Sequence, residues 1–132
     1  MPPLLVGARG PRTLRLAGEL ADGVILDSVG TAEELRVAGE LLAEGRAAAG
    51  RDGAPHVTVF TELDVAAGSP KELQERMLER AAALGQAGAD SVVFHAPGDQ
   101  PDPGPHIAAL TPERPHPVGY CPVTPDGRGP RV

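Results

Sequence analysis

Short apolar runs alternate with longer amphipathic segments over residues 3–96, and this alternation leaves few folds open to the chain. The apolar runs begin at Pro3, Val24, His56 and Val92. The three segments between them repeat apolar residues at helical spacing, as with Leu35 and its successors. A strand–helix order of this kind is typical of βαβ units and a parallel sheet. We therefore predict an α/β fold with four parallel strands alternating with helices.

Each predicted helix has a recognisable start. Pro11 stands at the first helical position of the first helix, where its missing N–H costs nothing. Thr31 with Glu34, and Ser69 with Glu72, fit the capping box, in which each side chain satisfies a free backbone N–H of the other residue. These signals predict helix starts at all three places.

The segment at residues 21–26, Ala-Asp-Gly-Val-Ile-Leu, returns at residues 89–94 as Ala-Asp-Ser-Val-Val-Phe. Both copies stand where a predicted helix leads into a strand. This weak internal repeat is compatible with a barrel and with a doubly wound sheet alike.

The third strand is predicted from residue 56 to about residue 65, and its residues alternate in character. One predicted face, toward the helices, holds apolar side chains: Val57, Val59, Leu63 and Val65. The opposite face, toward the inside of a barrel, holds Thr58, Phe60, Glu62 and Asp64. Successive strand residues point to opposite faces, which is the basis of this assignment.

Composition excludes several classes of function. The net charge is −6 and only three aromatic residues occur, so a basic, base-stacking surface for nucleic acid is not expected. The single cysteine, Cys121, permits no internal disulfide. The chain shows neither a signal peptide nor an apolar stretch of about 18 residues, so we expect no membrane segment and a cytoplasmic location.

A glycine-flanked turn at residues 7–11 joins the first strand to the first helix. Gly7 and Gly10 allow close approach of a ligand to the backbone, and the N–H groups of Arg12 and Thr13 at the helix start favour an anion such as phosphate. Arg9 can add a charged hydrogen bond. Many strand–glycine–helix turns bind nothing, so on physical grounds alone a purely structural turn remains open.

The last 36 residues contain ten prolines and no sustained periodicity. Such a composition buries too little apolar surface to offset its ordering entropy, so residues 99–132 are predicted to form a mostly disordered tail, with at most one helical turn at residues 106–110. His106, His116 and Cys121 fit no standard zinc spacing, and no metal site is predicted.

The run GARGPRTLRLAGELADGVILD at residues 7–27, with the preceding strand, resembles the luciferase-like family. That family includes bacterial luciferase, FMN-dependent monooxygenases and deazaflavin-dependent methylenetetrahydromethanopterin reductases. Two weaker features typical of the family follow in order, RAAAGRD at residues 46–52 and QAGADSVVF at residues 86–94. The resemblance covers residues 3–96.

The resemblance implies a (β/α)₈ TIM barrel in which the four strands match the last four, with residues 1–98 as the C-terminal half of the barrel. It also implies that the turn holds the phosphate-bearing part of FMN or of the deazaflavin coenzyme F420, without deciding between them. The residues concerned are Gly7, Ala8, Arg9, Gly10 and Pro11.

Chemistry in such barrels lies at the carboxyl ends of the strands. Asp27, Ser28 and His95 end predicted strands, and Glu62 lies near the carboxyl end of the third predicted strand. These four residues are therefore pocket candidates. Two alternatives stay open, namely that Glu62 pairs with a neighbouring arginine and that His95 is merely solvated. No catalytic residue is assigned.

A complete barrel takes about 250 residues, whereas this chain has 132. The resemblance thus implies a fragment of an oxidoreductase that lacks half of the walls around the redox ring, contacts its small-molecule substrate only as part of a full barrel, and is inactive alone. A truncated gene product is favoured over two alternatives, pairing with another half-barrel (including a homodimer) and collapse into an open three-layer sheet. A second hypothesis is a non-catalytic half-barrel module that completes a partner or binds a phosphorylated small molecule.

Overall fold

A computed structural model describes residues 1–64, 68–99 and 102–111 of the chain. Strands and helices alternate along it. They are β1 (Leu5–Gly7), α1 (Pro11–Leu20), β2 (Gly23–Leu26), α2 (Ala32–Ala48), β3 (His56–Glu62), α3 (Pro70–Gln86), β4 (Ser91–His95) and α4 (Gly104–Leu110). Within the described ranges, no helix is long and apolar enough to cross a membrane.

The four strands form one sheet in the order β1-β2-β3-β4, and every neighbouring pair is parallel. This confirms the four parallel strands predicted from the sequence. Because the order never reverses and βαβ crossovers have one hand, the connecting helices all lie on the same face of the sheet. A doubly wound sheet needs a reversal of order, so the arrangement is that of half a barrel. It has two layers, not the three of the alternative considered above.

The core lies between the sheet and the helices. Val24 and Leu26 of β2 are matched in register with Val57 and Val59 of β3, and all four side chains are buried. They pack against buried leucines of α1, α2 and α3, namely Leu14, Leu35, Leu42 and Leu84.

The other face of the sheet has no covering layer in the described part of the chain. Its apolar residues are Leu5, Ile25, Phe60 and Val93, one from each strand, and this surface is called the open face below. Leu5 and Val93 are 38% and 39% exposed, although both belong to strands. The open face corresponds to the interior of a closed barrel.

The strand β3 ends at Glu62, so the predicted extension to about residue 65 was wrong. The reason lies in its partner, since β4 ends at His95, which is opposite Glu62. The chain then leaves the sheet, and Leu63 packs into a second apolar cluster with Leu73 and Met77 of α3. Asp64 also lies beyond the strand, and Val65 is outside the described residues.

The helix α4 lies inside the segment predicted as a disordered tail. His106 and Ala109 are buried, and Ala109 packs against Leu73 and Met77. The ordered part of the chain therefore extends beyond residue 98, and a helix does follow the last strand. Ala109 and the partly buried Leu110 cover the first half of α3, whereas Ile107 is exposed. His116 and Cys121 lie outside the described residues.

Candidate functional site at the carboxyl ends of the strands

The carboxyl ends of β1, β2 and β3 meet at one edge of the sheet and surround a hollow of about 360 Å³. It is called the carboxyl-end hollow below. Its lining residues are Gly7, Ala8, Arg9, Ile25, Asp27 and Phe60. In a parallel α/β sheet this edge is where ligands bind, so the glycine turn faces the expected place.

The start of α1 has no side-chain cap among the described residues. Gly10 is the N-cap residue, and its own carbonyl accepts a hydrogen bond from the Leu14 N–H at 2.9 Å. The starts of α2 and α3, by contrast, both have the predicted capping box. The first N–H groups of α1, including those of Arg12 and Thr13, are therefore open to an external acceptor, as the sequence predicted.

Neither the packing nor the backbone of the turn requires glycine. A Cβ added to Gly7 or to Gly10 would meet no atom within 4 Å, and neither residue has a left-handed φ. Gly7 also lines the hollow directly. The space beside both glycines is thus available to a ligand, which agrees with a turn that a phosphate approaches closely.

Arg9 and Asp27 form an ion pair across the mouth of the hollow. The Arg9 Nε and Nη2 atoms donate to the two Asp27 carboxylate oxygens at 2.9 and 2.5 Å. This hydrogen bonding holds the pKa of Asp27 below its ordinary value, and the same bond raises the pKa of Arg9. The sequence proposed both residues but not their contact. The contact between Arg9 and Asp27 could have been inferred from the neighbouring ends of β1 and β2, since Gly7 is opposite Ile25 in the register.

Ala8 is a structural member of the turn. Its side chain is 4% exposed, and its N–H donates to the Ile25 carbonyl at 3.2 Å. Ala8 contributes to the shape of the turn, and its N–H is already hydrogen-bonded to the neighbouring strand. Pro11 and Ser28 line a different hollow of about 260 Å³, on the helix side of the strand ends. The structure therefore separates Ser28 from Asp27.

Glu62 and His95 are opposite each other at the carboxyl ends of β3 and β4. Both side chains are exposed, and among the described residues Glu62 has no ion-pair partner, so the alternative of a neighbouring arginine does not hold there. The His95 Nδ1 lies 3.1 Å from the Ala96 carbonyl and must donate to it, because a carbonyl only accepts.

Two lining residues of the hollow, Ile25 and Phe60, were not among the predicted site residues. They come from the second and third strands and supply its apolar wall. Phe60 had been placed on the interior face by alternation. Ile25 could have been found from the same alternation once the register with Gly7 was known.

The arginines of the segment at residues 46–52 lie at the opposite end of the strands. Arg46 and Arg51 both donate to the Ala21 carbonyl, at 3.1 and 2.7 Å. Arg46 also donates to the Gly53 carbonyl at 2.6 Å. These contacts tie α2 and the following loop to the end of α1, so this motif supports the fold and not the site.

Comparison with known proteins agrees with this architecture. A sequence model of the family described as luciferase-like monooxygenase matches residues 1–114. The chain belongs to this family. The matched range includes α4 and so reaches past the predicted boundary at residue 98.

Individual relatives are reductases of methanogens. The chain is 40% identical over 65 residues to a 5,10-methylenetetrahydromethanopterin reductase of Methanolobus tindarius, which is 49% of this chain and 18% of that protein. The solved structure of the coenzyme F420-dependent tetrahydromethanopterin reductase of Methanopyrus kandleri superimposes with a TM-score of 0.59 at 20% identity, covering 81% of this chain and 48% of that one. The chain thus spans about half the length of the solved relative, whose likeness shows the fold.

Proposed function

We propose that this chain supplies the phosphate-binding turn of a luciferase-like oxidoreductase that transfers hydride with the deazaflavin coenzyme F420. The observation that carries the proposal is the uncapped start of α1 beside two glycines whose side-chain space is empty, one of which, Gly7, lines the carboxyl-end hollow. Both relatives are named as reductases, and the solved one is named as dependent on coenzyme F420, which favours the deazaflavin.

The turn fits a phosphate group. The phosphate oxygens would accept hydrogen bonds from the N–H groups of Arg12 and Thr13, and the dipole of α1 favours the negative charge of the phosphate. Arg9 would also donate to the phosphate, after giving up part of its hydrogen bonding to Asp27. In the free turn, the Asp27 carboxylate balances the charge of Arg9. When bound, the cofactor supplies the hydride chemistry, and the protein binds and orients it.

FMN is the second candidate, since the family description names monooxygenases. The same turn would hold the phosphate of FMN, so FMN and coenzyme F420 would differ only outside the turn, in their rings and tails. The non-catalytic alternative, a module that binds a phosphorylated small molecule, also uses this turn but needs no ring site. Glu62 and His95 border the place where a ring and substrate would lie, and we propose them as pocket residues.

A single half-barrel walls only one side of the ring site, so we predict no substrate turnover by the monomeric chain. Fluorescence titration with coenzyme F420, FMN and riboflavin tests the proposal, because riboflavin is FMN without the phosphate. We expect coenzyme F420 and FMN to bind the monomer with an affinity weaker than micromolar, F420 the tighter, and riboflavin to bind least. Equal binding of FMN and riboflavin would contradict a phosphate site.

A valine at position 10 should block backbone approach to the phosphate. Gly10→Val is expected to weaken binding of the phosphate-bearing cofactor by about tenfold or more, the size of a charged hydrogen bond. Gly39→Val is the matched control, since a Cβ there also meets no atom and Gly39 lies on α2. Unchanged affinity in Gly10→Val would remove the turn from the site. Binding of inorganic phosphate but of neither cofactor would favour the non-catalytic module.

A further inference from the structure

We propose that two copies of this chain associate through the open face of the sheet and close an eight-stranded barrel. The proposal concerns assembly and does not depend on which cofactor binds. It starts from three surfaces that the described part of the chain leaves uncovered, namely the pair of strand edges, the open face and one flank of α1.

The two edge strands are complementary. β1 and β4 each pair with one strand only in the described part of the chain, so each presents a row of backbone N–H and C=O groups. A twofold rotation about an axis along the strands sets β4 of each copy beside β1 of the other. Both new pairs are parallel, as are the three existing ones. One operation therefore satisfies all four edges.

The open face is suited to burial. Its centre is uncharged, with Leu5, Ile25, Phe60 and Val93 as its apolar residues and Thr58 among them. Ionisable groups lie at the two ends of the face: Glu62 at the carboxyl end, and His56, 4.0 Å from the Asp90 carboxylate, at the amino end. Barrels of eight strands have an interior that side chains fill, and four apolar side chains from each copy would occupy it at little cost in desolvated charge.

The free flank of α1 gives independent support. Gly18 faces α2, because a Cβ there would lie 2.2 Å from the Leu42 carbonyl oxygen. Leu16 and Leu20, two residues to either side of Gly18, are about 200° away around the helix, on the flank opposite α2. They are 50% and 66% exposed. In the closed barrel this flank lies at the junction with the partner copy, beside its β4, where the second copy would reduce the exposure of both leucines.

A second copy suits this surface better than an unrelated protein. One chain carries both complementary edges, and twice four strands gives the number at which such a sheet closes. The part of the chain that superimposes on the solved relative covers 48% of it, so two such parts account for about its whole length. Twofold dimers are also the commonest closed assemblies. Association would give the carboxyl-end hollow its missing opposite wall.

The mass of the purified 132-residue chain, measured by light scattering across a concentration series, is the first test. We expect a dimer of twice 13.5 kDa. Phe60→Glu should raise its dissociation constant by about 100-fold or more, since an unpaired charge would be buried. Leu78→Glu, at a 53% exposed position of α3 outside the three surfaces, is the control and should leave the constant within about threefold.

Oxidative cross-linking tests the arrangement of the copies. In a Cys121→Ser background, chains with Leu5→Cys are mixed with chains carrying Val93→Cys. A disulfide needs Cα atoms within about 7 Å, so the mixture should cross-link whereas either variant alone should not, because like strands lie across the barrel. A monomer at every concentration would overturn the proposal. A dimer that cross-links equally well with one variant alone would overturn it too, and neither result bears on the phosphate turn.

Discussion

At the scale of single residues, the contact between Arg9 and Asp27 governs the candidate site. Each residue ends or follows a strand, and the parallel register brings the two together. The pair leaves the free turn without net charge, so a phosphate must compete with Asp27 for the guanidinium. The carboxylate is thus a built-in competitor of the ligand at this position.

Asp27→Asn should therefore tighten binding of inorganic phosphate or of a phosphate-bearing cofactor by roughly threefold, the scale of an exposed ion pair. Isothermal titration at neutral pH measures the change. For inorganic phosphate, which has no ring, Glu62→Gln is the matched control, since it removes the same charge from the next strand end without touching Arg9. Equal gains in both variants would mean that net charge alone acts and would contradict the specific competition.

The pH dependence of this pair has a definite sign. The pKa of Asp27 is held below its ordinary value by Arg9, so the pair's contribution to stability is fully present above about pH 4, the ordinary carboxyl value. It is lost as the pH falls through the lower folded value. We expect Asp27→Asn to remove this part of the acid titration of stability, followed by chemical denaturation from pH 5 to 2.

At the scale of elements, the internal repeat has a structural cause. The Asp22 N–H donates to the Leu4 carbonyl at 2.9 Å, and the Leu4 N–H donates back to the Asp22 carboxylate at 2.8 Å. Asp90 and Val57 exchange the same two bonds, both at 2.8 Å. In each copy of the repeat, the aspartate links the start of the strand that follows it to the start of the preceding strand in the sheet.

Asp90→Ala should lower the free energy of unfolding by about 1–3 kcal/mol, the scale of a hydrogen bond to a charged group, because the Val57 N–H loses its acceptor. Urea denaturation followed by circular dichroism gives the value. Asp99→Ala, at an exposed position after β4, serves as the comparison and should change little. A loss no larger than that of Asp99→Ala would show that the second bond adds nothing.

The close contact between α1 and α2 depends on two glycines, Gly18 of α1 and Gly45 of α2, each of which faces the other helix. A Cβ on Gly45 would lie 1.9 Å from the Arg15 carbonyl oxygen, whereas one on Gly39 of the same helix meets nothing within 4 Å. We expect Gly45→Ala to destabilise the fold by about 1–3 kcal/mol through overpacking. Gly39→Ala should stabilise it by about 0.5–1 kcal/mol through helix propensity. Thermal unfolding of both variants distinguishes the two effects, and like signs would contradict the close helix contact.

At the scale of the whole molecule, α4 ties the end of the chain's described part to the sheet. The His106 Nε2 lies 2.9 Å from the Leu63 carbonyl and donates to it, while the ring is 5% exposed. The other ring nitrogen is buried without a partner in the described part of the chain. The ring thus acts as a buried anchor just beyond β3.

His106→Ala should lower the free energy of unfolding by about 1–3 kcal/mol and raise hydrogen exchange of the α4 amides, since the Leu63 carbonyl loses its donor and the apolar cluster its cover. His95→Ala is the matched control, because that histidine is exposed and bonds only to its neighbour's carbonyl. Equal effects of the two substitutions would show that α4 is not anchored through His106.

Much of the fold was predictable because its signals are local. Apolar periodicity marked the four strands and three helices, and the capping residues Thr31 and Ser69 marked two helix starts. The glycine turn was predictable for the same reason, since Gly7, Gly10 and Pro11 are neighbours in the chain. A resemblance read from these residues led to the family that the comparison showed.

What the amino-acid sequence determined by itself is therefore the order of elements, their starts and the uncapped, glycine-flanked turn, all of which depend on residues a few positions apart. The tertiary structure alone decided that the helices share one face, that Arg9 meets Asp27, that β3 stops at Glu62 and that α4 packs on α3. These features depend on strand register and on contacts between residues distant in the chain. These features are set by the interactions between whole strands and helices, and such interactions cannot be read from a short stretch of sequence.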